Sequence, residues 1–109
     1  SLVEINLPST LTLISDHAFM DCTSLAQIEL PSGLKSIGEF AFAFCPALKL
    51  IVIPRSVEII GSLVFEEASN IVIYCEAPSK PSGWEEDWSG GRLVYWGYEG
   101  DGYWVWFDD

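Results

Sequence analysis

Apolar positions along this chain fall into an order that returns every 23 residues. Residues 1–23 and 24–46 agree without a gap at 11 of 23 positions, among them Ile5/Ile28, Leu7/Leu30, Pro8/Pro31, Ile14/Ile37, Phe19/Phe42 and Cys22/Cys45. Residues 47–69 keep Leu48, Ile51, Ile53, Pro54, Val57, Ile60, Gly61 and Phe65 in the same slots, and a degenerate fourth unit starts at Asn70 with Ile71, Ile73 and Cys75 alternating. A unit this short cannot bury its own apolar face and must hide it against its neighbours, which predicts a solenoid. Inside a unit, Leu25-x-x-Ile28-x-Leu30 alternates as a strand does. Pro31 then stops it, having no N–H for a ladder. A second extended piece, such as residues 34–37, closes at Gly38 or Gly61. The Ala-Phe pair that follows lies in a segment of about six residues, enough for one helical or 3₁₀ turn. Phe19, Phe42 and Phe65 would then stack as a column along the axis.

The last third breaks the pattern. Residues 84–107 hold nine of the 15 aromatics and all five tryptophans. Residues 77–91 carry Pro78, Pro81, Gly83, Gly90 and Gly91 and read as an irregular connection. Residues 93–98 and 103–107 are strand-like runs around Glu99-Gly100-Asp101-Gly102, which is a hairpin signal. A hairpin here would cap the last rung, because a bare solenoid end exposes apolar side chains to water.

Charge narrows the partners. The 109-residue chain is one domain in size and carries −11, divided as −3 up to Pro54 and −8 beyond it. Such a surface repels phosphate, so nucleic acid and anionic membranes are poor partners, and neither nucleic-acid binding nor membrane insertion is expected. The longest charge-free run, residues 5–15, contains Pro8 and is too short for a membrane span. His17 is the one histidine, and its repeat equivalents are Phe40 and Leu63, which marks a surface or half-buried filler rather than a catalytic base. Cys22, Cys45 and Cys75 show no finger-like spacing, so no metal and no cofactor is expected. Cys22 and Cys45 share a slot in adjacent rungs, and stacking at about 4.8 Å would permit a bridge without demanding one; three free thiols are the expectation. Glu85-Glu86-Asp87 between Trp84 and Trp88 reads as solvated surface charge.

Leu25, Ile28, Leu30, Pro31, Leu34, Ile37, Ala41, Phe42 and Cys45 together resemble the BspA-type leucine-rich repeat. The resemblance covers residues 1–77. Residues 73–84 and 94–98 are similar to the segment that closes such arrays. It implies a β-rich leucine-rich-repeat solenoid: three strand–turn–short-helix rungs and a degenerate fourth over residues 1–77, closed by a C-terminal aromatic β-hairpin cap within 78–109, all in one structural domain. It also implies a secreted or surface-displayed bacterial protein that binds host or matrix macromolecules and is not an enzyme. The residues themselves offer two binding surfaces. The outward strand positions Glu4, Gln27 and Leu50, with Asn6, Glu29 and Val52, form two ladders that pass from polar to apolar and suit a protein or peptide. The alternative is a glycan platform built from Trp88, Trp96, Trp104 and Trp106. The chain begins at a repeat boundary with no polar cap, so it is expected to belong to a longer array and to self-associate or fray at its first rung.

Overall fold

Each repeat lays down two short strands, and the computed structural model shows how they stack over the residues it describes, 3–68 and 70–99. The longer strands are β1 (Val3–Asn6), β3 (Leu25–Glu29), β5 (Leu50–Ile53), β7 (Val72–Cys75) and β8 (Leu93–Trp96). The two-residue strands β2 (Leu13–Ile14), β4 (Ser36–Ile37) and β6 (Ile59–Ile60) lie between them in sequence. All pairing is parallel: β1 with β3, β5–β7–β8 in one sheet, and β2–β4–β6 in another. Register follows the repeat. Ile14 faces Ile37 and Ile37 faces Ile60, so each identical slot lies on its own copy. The corner after β1, β3 and β5 is made by a proline, whose carbonyl accepts from the N–H three residues on: Leu11 to Pro8, Leu34 to Pro31 and Val57 to Pro54. The fold is the expected solenoid.

The inward residues make one apolar core, and among the described residues no polar or charged side chain is buried in it. Phe42 and Phe65 are fully buried and Phe19 is half-buried. Their rings stack at 5.3 Å (Phe19–Phe42) and 5.7 Å (Phe42–Phe65), nearly coplanar, as the phenylalanine column requires. Burying such rings in contact contributes about 0.5–1.5 kcal/mol per pair beyond their area.

Two expectations need correction. The Ala-Phe segment forms neither a helix nor a 3₁₀ turn but a chain of turns. Ala18, Met20 and Cys22 donate to carbonyls three residues back, while His17, Phe19 and Asp21 donate across to Glu39, Ala41 and Ala43 on the next rung. A helix needs every N–H to point back along its own segment. Here left-handed residues recur, His17, Asp21, Phe40, Phe44, Leu63 and Glu67 all having φ of 52–64°, and they aim alternate N–H groups at the neighbour. The bonds between rungs offset a cost of roughly 1–2 kcal/mol per left-handed side chain.

Second, the fourth rung does not end at Ala77. Leu50 pairs with Val72 rather than with residue 73, so this rung has lost one residue, and Ile71, Ile73 and Cys75 all turn inward. Residues 77–91, expected to be an irregular connection, complete the turn. Trp84 donates its N–H to Pro81 O in the same corner seen at the other prolines, and its backbone bridges Ile60. Its indole N–H reaches Val57 O at 3.2 Å, so one side chain covers the slots of Val57 and Ile60. Trp88 then closes the phenylalanine column, edge-on to Phe65 at 6.3 Å. Glu76 pins the inserted loop by accepting the Arg55 N–H at 2.8 Å.

The first arm of the expected hairpin is present as β8, which opens a fifth rung by pairing parallel with β7. The second arm, residues 103–107, lies outside the described residues.

Candidate functional site

Alternation in the long strands sends Ile28, Ile51 and Ile73 into the core and leaves their neighbours outside. The structure brings the six candidate residues onto one face. Glu4 pairs with Gln27 and Asn6 with Glu29, and all four are exposed. Leu50 is half exposed (50%) and Val52 is half-buried. Sheets β1–β3 and β5–β7–β8 meet at β3 and β5, which touch without sharing a ladder. The face therefore changes character at the seam between its two sheets. One side is acidic and amide-bearing; the other is apolar.

The apolar side extends further than the sequence reading carried it. Leu50 continues through Val72 to Leu93, which is 55% exposed, and Val52 continues through Tyr74 to Tyr95. Tyr74 and Tyr95 stack at 5.4 Å, and Tyr98 lies 5.6 Å from Tyr74. These residues were missed, though a signal existed. Val72-Ile73-Tyr74-Cys75 and Leu93-Val94-Tyr95-Trp96 alternate with the same parity as Leu50-Ile51-Val52-Ile53. Extending the two ladders by parity would have found them.

Of the tryptophans in the alternative surface, packing turns Trp88 inward. Trp88 is only 3% exposed, wedged against Trp84 (4.8 Å) and Trp96 (6.0 Å). Trp96 is half-buried and packs on the core. Large indoles are drawn inward here because the shortened fourth rung offers fewer apolar side chains to fill the same cross-section. Trp104 and Trp106 lie outside the described residues.

Chemistry at the other candidates is quiet. Cys22, Cys45 and Cys75 are free. Burial raises the Cys45 thiol above its ordinary value and pushes Cys75 up to about 12, so both are protonated and poor nucleophiles at neutral pH. His17 is exposed and stacks on Phe40 at 5.4 Å, as a surface filler does. Among the described residues no group of three or more His, Cys, Asp or Glu is placed to hold a metal ion.

The family model described as "BspA type Leucine rich repeat region (6 copies)" matches residues 1–79. No curated protein and no solved structure gives a match to the chain.

Proposed function

The chain belongs to the BspA-type leucine-rich repeat family, and from that premise we propose that its strand face docks a partner protein outside a bacterial cell. The family is generally a non-enzymatic scaffold for protein interaction, and its members are typically surface or secreted bacterial proteins. Among the described residues no helix is long and apolar enough to cross a membrane. The observation that carries the reading is the aligned apolar ladder Leu50–Val72–Leu93 beside Val52–Tyr74–Tyr95. Leu50 and Leu93 are exposed at the two ends of this face and Val52, Val72, Tyr74 and Tyr95 are half-buried between them, and contiguous apolar surface open to water marks interaction sites. The acids Glu4 and Glu29 at the other end would set orientation and on-rate rather than affinity. The partner class is a protein of the host or its matrix, and the role is adhesion.

A glycan platform has less support. Trp88 is buried, and Tyr74 and Tyr95 turn ring faces toward each other rather than toward a sugar.

The test is binding to a panel of immobilised matrix proteins and soluble polysaccharides. At least one protein should bind, and the double variant Leu50→Asp with Leu93→Asp should weaken it by roughly tenfold or more, as losing two apolar anchors implies. Both side chains are half exposed, so the fold should survive. Undiminished binding by that variant, or binding of polysaccharide alone, would refute the reading.

A further inference from the structure

The second sheet has an outer surface of its own. Leu13, Ser36 and Ile59 are the outward residues of β2, β4 and β6 and lie in register. Leu13 and Ile59 are 55% and 57% exposed, more than any other large apolar side chain among the described residues except the equally exposed Leu93. They stand two strands apart, roughly 9–10 Å by ordinary strand spacing, with the small Ser36 as a notch between them. Beside this notch the floor is bare backbone. A Cβ on Gly38 would run into the backbone of Ser15 and Asp16, and one on Gly61 would meet Glu39 N at 2.7 Å. The result is an open groove of about 370 Å³, at the low end of volumes that hold ligand groups.

Its lining also carries Asp16, Glu39 and Glu85. Among the described residues the ion pairs are Lys35–Glu58 and Lys80–Glu86, so no cation neutralises these three. Lys35 is the nearest base in sequence to the groove strands, and it is engaged by Glu58 at 3.8 Å. Asp16 uses one oxygen to accept the Glu39 backbone N–H at 3.0 Å, whereas the carboxylates of Glu39 and Glu85 take part in neither ion pair.

We propose that this groove, on a different face from the strand ladders, binds a segment of a partner protein that alternates lysine or arginine with aliphatic residues. Apolar contact with Leu13 and Ile59 calls for aliphatic groups. The carboxylates call for cations beside them. Other occupants fit poorly: a second copy of the chain brings another −11, and nucleic acid or an anionic lipid surface is repelled in the same way. An extended chain suits the site because alternate side chains point to opposite sides of a strand.

The probe is a fluorescein-labelled Lys-Val-Lys-Val-Lys-Val peptide, followed by anisotropy at low and at physiological salt. A chain this acidic attracts any cationic peptide weakly, so charge-matched variants decide the matter. Glu39→Gln with Glu85→Gln should weaken binding roughly three- to tenfold, the range for two exposed charge pairs. Glu67→Gln with Glu99→Gln, the same charge change elsewhere, should alter it less than about twofold. Leu13→Ser with Ile59→Ser should also weaken it severalfold, whereas Leu50→Ser with Leu93→Ser on the strand face should not. In the unmodified protein, peptide should shift the backbone amide resonances of Gly38 and Gly61. Equal weakening by both acid pairs, indifference to Leu13 and Ile59, loss through the strand-face pair, or no shift at Gly38 and Gly61 would each overturn the assignment. The strand-face proposal stands or falls separately, since substitutions at Leu50 and Leu93 on that face serve here as the controls.

Discussion

Phe42 and Cys75 show what the repeat asks of single residues. Phe42 is fully buried between two parallel rings, so Phe42→Ala opens a cavity in the middle rung and should cost about 3–5 kcal/mol. That is a large share of a small domain's stability, and calorimetry should show an early, broadened melt; a variant melting within a few degrees of the parent would contradict the stacked column. Cys75 sits in the core with a thiol pushed up to about 12 from the ordinary 9.0. An acid with a raised pKa stays protonated in the fold while the unfolded chain ionises. Its contribution is therefore intact below about pH 9 and is lost as pH rises toward about 12, by about 1.4 kcal/mol per pH unit. Urea titrations across that window should show the decline in the parent and a shallower one in Cys75→Ala. Matching slopes would place the Cys75 thiol in contact with water. The burial of both was legible in the sequence, because Phe42 fills a slot that Phe19 and Phe65 share and Cys75 follows Ile71 and Ile73 in the alternation of a strand. His17 was also read correctly, but its left-handed backbone was not. Phe40 and Leu63 occupy the same slot, and neither residue type advertises a positive φ.

At the scale of elements, the long strands and their prolines were readable because period-two alternation and a missing N–H act locally. The turn segment was not. Whether an Ala-Phe stretch coils into a helix depends on a neighbouring rung that accepts half its N–H groups, and spacing within one unit does not report that. The Trp-rich segment was misjudged for a related reason. Pro81 and Trp84 repeat the spacing of Pro54 and Val57, yet a loop inserted after Cys75 and a residue lost before Val72 hide the correspondence from a fixed 23-residue offset. The short strands β4 and β6 are each followed by a glycine pressed against the preceding rung. Gly61 lies so near Glu39 that a Cβ would be 2.7 Å from its amide nitrogen and 3.0 Å from its Cα. Both atoms belong to backbone and cannot swing aside. Gly61→Ala should therefore destabilise the fold by about 1–3 kcal/mol, the ordinary cost of overpacking. Gly33→Ala is the control, with nothing within 4 Å; equal effects at the two sites, measured by chemical denaturation, would contradict the close approach.

For the whole molecule, stacking leaves two unlike surfaces over one core. The sequence disclosed the strand face and the first six of its residues, since parity and period suffice to put Glu4, Asn6, Gln27, Glu29, Leu50 and Val52 together. The same parity carries the apolar ladders on to Leu93 and Tyr95, although a fixed 23-residue offset passes over them. That Trp88 faces inward was not legible, because it depends on how the shortened fourth rung packs. The account's central claim is that the strand face engages a protein. Amide hydrogen exchange of the chain, alone and saturated with the tightest-binding protein of the matrix panel, tests this most directly. The account expects added protection concentrated in β5, β7 and β8, with β2, β4 and β6 unchanged. Protection confined to β2, β4 and β6, or none anywhere in the strands, would contradict it.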